Sequence, residues 1–94
     1  MVNLGKKIRT LRLEKRISQT EMSKHIGVSK AMISSYELEQ RSPSYEVLIR
    51  IASFFCVTTD FLLGIEKERV LCVKGLDNRE VEVITRMIEV LRDR

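Results

Sequence analysis

The sequence predicts an all-α fold, with five short helices over residues 3–64 around one core and a sixth helix at the C-terminal end. Apolar residues recur at steps of three and four, the period of a helix with one buried face. Residues suited to N-capping (Ser18, Ser29, Ser44 and Asp77) stand just before several of these runs. Gly27 and Gly64 follow two of them, where helices commonly end in a left-handed residue. A chain of 94 residues suits one compact domain.

The first helix is read over residues 3–15 from Leu4, Ile8 and Leu11, with Asn3 as its cap. Ser18-Gln19-Thr20-Glu21 is a capping box, in which serine hydroxyl and glutamate carboxylate each accept from the other's amide. Ile17 and Met22 stand where a hydrophobic staple forms. The second helix places Met22 and Ile26 inward and ends at Gly27. Ser29 caps the third, over residues 30–38, with Ile33 and Tyr36 inward. Two short helices joined through a glycine turn form the crossed pair of a helix-turn-helix. Ser44 caps the fourth, whose apolar residues Val47, Leu48, Ile51, Ala52, Phe54 and Phe55 make it the most buried by composition. Residues 58–63 give a short fifth helix. Residues 65–76 read as a connector, with Val70 to Val73 a candidate extended piece. Asp77 and Glu80 repeat the capping box at the start of a helix over residues 77–94.

Composition narrows the function classes. Hydrophobic residues are 44% and charged residues 32% of the chain, as in ordinary globular proteins. No apolar run is long enough to span a membrane and no signal-peptide pattern opens the chain, so a cytoplasmic location is expected. The net charge is +4, and residues 1–16 carry six basic side chains against Glu14 alone. That asymmetry suits a surface meeting a polyanion. Cys56 and Cys72 have no second cysteine pair or histidine near them in sequence, so no metal is expected and both read as structural thiols, the alternative being a single disulfide in a secreted form, which nothing in the sequence favours. No cofactor is implied. The sequence holds no phosphate-binding glycine loop and no serine or cysteine beside a catalytic base, so an enzyme is not expected.

In a helix-turn-helix the second helix can enter the major groove while the first crosses the sugar-phosphate backbone. Positions 30, 31, 34 and 35 fall opposite Ile33 and Tyr36, so Lys30, Ala31, Ser34 and Ser35 are the candidate base-reading residues. Lysine can donate to guanine, serine can donate or accept, and alanine can touch a thymine methyl.

Residues 3–64 resemble the lambda-repressor-like, Cro-type helix-turn-helix family of bacterial and phage regulators. The resemblance rests on Ile8-Arg9-x-Leu11-Arg12, Ser18-Gln19-x-Glu21-Met22, Ile26-Gly27-Val28-Ser29, Ile33-Ser34-x-Tyr36-Glu37, Arg41-x-Pro43-Ser44 and Asp60-x-Leu62-Leu63-Gly64. It implies a sequence-specific regulator of transcription, a repressor, that binds double-stranded DNA. Gln19 would touch a phosphate and brace the recognition helix. Arg12 would pair with Glu37 and also face a phosphate. Arg9, Ser29, Arg41 and Ser44 are further candidates for the DNA backbone.

Three positions depart from the family pattern. Ser23 stands where alanine is usual, Glu39 where glycine or asparagine ends the third helix, and Cys56 where glycine follows the fourth. A left-handed Glu39 would cost about 1 kcal/mol, and its carboxylate would repel phosphate. In the last helix Val81, Ile84, Ile88 and Leu91 form an apolar seam widened by Met87, the pattern of a two-helix contact. A homodimer on a palindromic operator is expected. The alternative is the antitoxin of a toxin–antitoxin pair, its residues 65–94 holding a protein partner.

Overall fold

The computed structural model describes residues 3–93. The helices are α1 (Leu4–Glu14), α2 (Gln19–Ile26), α3 (Lys30–Glu37), α4 (Tyr45–Phe55), α5 (Thr59–Leu62) and α6 (Asn78–Arg92). Arg94, the last residue of the expected C-terminal helix, lies outside the described residues, as do Met1 and Val2. The all-α expectation holds, and no strand occurs among the described residues.

The core gathers one face from each of the first five helices. Ile8 and Leu11 meet Met22 and Ile26, then Ile33 and Tyr36, with Val47, Leu48, Ile51, Ala52 and Phe55 of α4 beneath them and Leu62 of α5 closing one side. Each large side chain in this set contributes about 1.5–3 kcal/mol by leaving water. α2 crosses α3, α1 lies across α3 and α5, and α4 supports α2. Helix α6 stands apart, with no buried residue.

Local capping sets where the helices begin. Ser18, Ser29, Ser44, Thr58 and Asp77 each accept a hydrogen bond from the amide three residues on. The capping boxes at Ser18 and Asp77 are both complete. Asn3 differs from expectation, since its side chain caps nothing. The Gly5 amide donates instead to the Glu39 carboxylate at 3.3 Å. The reason is the close approach of α1 to the end of α3. A Cβ on Gly5 would stand 2.5 Å from the Tyr36 carbonyl oxygen and 2.6 Å from that of Glu37.

Three helices end in a left-handed residue that is not glycine: Arg16 and Glu39, both at φ 58°, and Cys56 at φ 54°. Each exit closes with a bond back to the last turn, Ile17 to Arg12 at 3.3 Å, Gln40 to Ser35 at 2.9 Å and Val57 to Ala52 at 3.0 Å. These are the bonds of a Schellman ending, in a conformation that opposes a Cβ by about 1–2 kcal/mol. Cys56→Gly should therefore raise stability by about 0.5–1 kcal/mol, since glycine removes that clash and gives back part of the gain as chain entropy. Urea unfolding in a reducing buffer measures it. A loss of stability would show that the thiol packs against something needed.

Other expectations need correction. Phe54, one of the apolar residues of the fourth helix, packs against the edge of the core rather than inside it. It is half-buried, stacked on His25 with ring centroids 4.9 Å apart, and the Lys15 ammonium lies 4.5 Å from its centroid. Residues 70–73 form no extended strand. Two polar contacts hold the first part of the connector, Arg69 to Glu14 at 2.8 Å and Glu66 to Thr58 at 2.8 Å. Cys56 and Cys72 are both exposed rather than packed as structural thiols. The turn out of α4 carries Cys56 off the core side of the helix.

Candidate nucleic-acid interface

Helix α3 is fixed from behind and open in front. Ile33 and Tyr36 are buried, whereas Lys30 and Ala31 are exposed and Ser34 and Ser35 are half-exposed. Residues four apart share a helix face, so Lys30 aligns with Ser34 and Ala31 with Ser35. The four expected base-reading residues thus form one outward surface.

What holds that surface is the Glu37 carboxylate. Arg12 donates to it through Nε at 2.7 Å and Nη2 at 3.0 Å, and Gln19 Nε2 donates at 3.2 Å. Arg12 Nη1 also reaches the Ile17 carbonyl at 2.9 Å. One carboxylate on α3 therefore ties down α1, α2 and the turn between them. The Arg12 and Glu37 side chains are only 11% and 4% exposed, and the contact holds the guanidinium more firmly protonated than usual. Arg12 is turned inward by these bonds, which leaves it little surface for a phosphate.

The basic residues of α1 divide in two. Lys7 Nζ donates to the Phe61 carbonyl at 2.7 Å and Lys15 Nζ to that of Phe54 at 3.2 Å. Arg50 Nη1 does the same at the end of α2, reaching the Ile26 carbonyl at 2.8 Å. Cations at the last carbonyls of helices offset the negative end of the helix dipole. Lys6, Arg9 and Arg16 remain exposed. Arg9 follows Gly5 by four residues, on the flank of α1 that faces the end of α3.

Other candidates lie around α3. Arg41 is exposed, with Nη1 3.8 Å from the Met32 sulfur, which lays it along α3. The hydroxyls of Ser29 and Ser44 accept amides at 3.1 and 3.3 Å, and each keeps its own proton to donate. Tyr45 and Leu38 are not singled out by sequence, yet they are 79% and 61% exposed. The signal for Tyr45 was available, because an aromatic residue directly after the Ser44 cap falls outside the apolar register of α4.

On α6, Val81, Ile84 and Ile88 are half-exposed, and Met87 and Leu91 are exposed at 59% and 52%. The five expected dimerisation residues therefore leave an apolar stripe without a cover from their own domain. No helix among the described residues is long and apolar enough to cross a membrane.

Residues 8–62 match the helix-turn-helix family. The chain belongs to that family. Among its relatives, the HTH-type transcriptional regulator ImmR of Bacillus subtilis is 29% identical over 63 residues and YqaE of the same organism, uncharacterized, 33% over 64. The chain spans 50% and 55% of these two proteins, about half their length. The CTXphi transcriptional repressor RstR of Vibrio cholerae is 31% identical over 93 residues, covering 90% of this chain and 84% of that protein. The P22 c2 repressor, solved with a synthetic operator, superposes with a TM-score of 0.65 at 29% identity, over 70% of this chain and 98% of that one. The SinR–SinI protein complex aligns over 90% of this chain and 78% of the solved one, with a TM-score of 0.64 at 27% identity.

Proposed function

We propose that this protein is a sequence-specific double-stranded DNA-binding regulator of transcription, a homodimeric repressor acting in the bacterial cytoplasm. The observation that carries the reading is the α3 surface of Lys30, Ala31, Ser34 and Ser35, outward-facing and held by the Arg12–Glu37–Gln19 contacts. A rigid helix with a short polar face suits the major groove, where base edges carry a readable donor and acceptor pattern. Similarity to the P22 c2 repressor, a protein solved on its operator, supports the same use here.

The roles divide by chemistry. Arg9, Arg41, Ser29, Ser44 and the start of α2 at Gln19 meet phosphates, which supplies affinity and salt dependence. Lys30, Ala31, Ser34 and Ser35 supply choice of sequence. The α6 stripe supplies the second copy, and the role needs no catalytic step. Selection of bound duplexes from a random library tests the whole reading. The expected result is a palindrome with half-site centres about one helical turn apart. No enrichment, and no mobility shift on any duplex at low salt, would refute it.

Two substitutions separate the roles. Lys30→Ala should weaken binding to the selected site by roughly 1–3 kcal/mol while random DNA is bound nearly as before. Equal losses on both would assign Lys30 to the phosphates. Ile88→Asp places a charge in the α6 stripe and should shift a dimer to monomer in light scattering, with the helical content kept.

One observation favours a second reading of α6. The match to the SinR–SinI complex runs through 90% of this chain, beyond the DNA-binding helices, and that complex contains a second kind of protein. Under this reading the stripe holds a different partner, as an antitoxin would. A monomeric chain that gains mass only with a co-expressed neighbour would favour it.

A further inference from the structure

We propose that Cys56 and Cys72 form a thiol–disulfide exchange site, at which a low-molecular-weight disulfide converts them to an intramolecular disulfide tying the connector to the C-terminal end of α4. The two residues are far apart by element, one ending α4 and the other well into the connector. Yet both line the same open cleft, with Val57, Val70 and Lys74 around them. Both are exposed, so a small reagent reaches them. Disulfide formation needs Cβ atoms about 3.5–4.5 Å apart. The shared cleft brings the two thiols to one surface, and the irregular chain around Cys72 can close the remaining distance.

The pair is also unequal in a useful way. The nearby Cys56 thiol, and then the backbone of Lys74, hold the Cys72 thiol below its ordinary range. The same contact with Cys72 pushes the Cys56 thiol up. Cys72 is therefore the attacking thiolate. It displaces one thiolate from the small disulfide and becomes a mixed disulfide. Cys56 then loses its proton, attacks the Cys72 sulfur and releases the second small thiol. Two electrons pass from the protein sulfurs to the reagent, and the two protons appear on the released thiols. An exposed disulfide of this kind is readily reduced again, which suits a transient signal in a reducing compartment.

The consequence concerns α6. Arg69 holds the connector to Glu14 at 2.8 Å. Beyond that point Val70 and Leu71 are 57% and 59% exposed. A covalent tie at Cys72 would fix the root of α6 and hence where a second copy sits. This regulatory half rests on the dimeric DNA-binding reading above.

The test uses the full chain and oxidised glutathione. The expected product is a polypeptide not cross-linked to a second chain under denaturing conditions, which has lost the mass of two hydrogens, no longer takes up maleimide, and yields one peptide pair joined at Cys56 and Cys72. Cys56→Ser and Cys72→Ser should each stop at a single glutathione adduct. Two glutathione adducts on the unaltered chain, or disulfides only between chains, would overturn the site. This arm uses no DNA, so it stands or fails apart from the proposed function. In a second arm, reduced and oxidised protein are titrated onto a duplex with two half-sites and onto one with a single half-site. Oxidation should change affinity for the first several-fold and leave the second unaltered. Equal affinities of the reduced and oxidised chains for the two-half-site duplex, or an equal change on both duplexes, would overturn the regulatory half.

Discussion

Glu37→Ala is expected to destabilise the domain by about 3 kcal/mol, the largest loss predicted for any single change described above. Glu37 accepts two bonds from Arg12 and one from Gln19, and both charged side chains are nearly buried. Removing the carboxylate strands a guanidinium without its counter-charge, which is worse than having neither group. The companion variant, Arg12→Met with Glu37→Leu, fills the space with apolar atoms and should recover most of the stability. Urea unfolding of the three proteins measures both effects. The double variant also separates folding from recognition. If it folds well but reads its DNA site less selectively, the ion pair aims α3 as well as stabilising it. A loss below about 1 kcal/mol for Glu37→Ala would mean that core packing alone positions α3.

Gly5→Ala should be the next most damaging. A helix interior ordinarily gains about 1 kcal/mol when alanine replaces glycine. Here the new methyl would meet two main-chain carbonyl oxygens, at 2.5 Å and 2.6 Å, and neither can rotate away. Helix α1 would have to lift off the end of α3, which also breaks the Gly5–Glu39 bond. Overpacking of this kind costs about 1–3 kcal/mol, so the net loss should reach up to about 2 kcal/mol. A domain of this size would melt about 4–8 °C lower for each kcal/mol. Lys6→Ala, at the exposed neighbouring position, is the control and should change little. A rise in melting temperature for Gly5→Ala would show that α1 and α3 pack less closely than described.

The parts of the fold that sequence makes legible are those decided within one or two turns. The capping boxes at Ser18 and Asp77, the serine caps of α3 and α4, and the turn at Gly27 all depend on neighbours, and all are present. The Arg12–Glu37 pairing was legible only through family resemblance, because 25 positions separate its members. Gly5 carried no readable signal, since the reason for a glycine there lies in the carbonyls of α3. Asn3 misled for the same reason. Its type is right for a cap, but a carboxylate from another element had already taken the place. Charge misled as well. The basic run in α1 reads as one patch, whereas Lys7, Arg12 and Lys15 turn onto the domain itself. The outward surface of α3 followed from periodicity once the buried residues Ile33 and Tyr36 were placed. The proximity of Cys56 and Cys72 depends on the path of an irregular connector, which local pattern does not specify.

Glu39 shows how a position can look tolerant because two opposing effects meet there. Its backbone sits where a side chain is disfavoured, while its carboxylate serves as the missing acceptor for the first turn of α1. Exchange for glycine would relieve the one and abolish the other, so the melting curve could hardly move. What would change is the link between the start of α1 and the end of α3. Thermal screens would pass over such a site, although it joins the first turn of α1 to the end of α3.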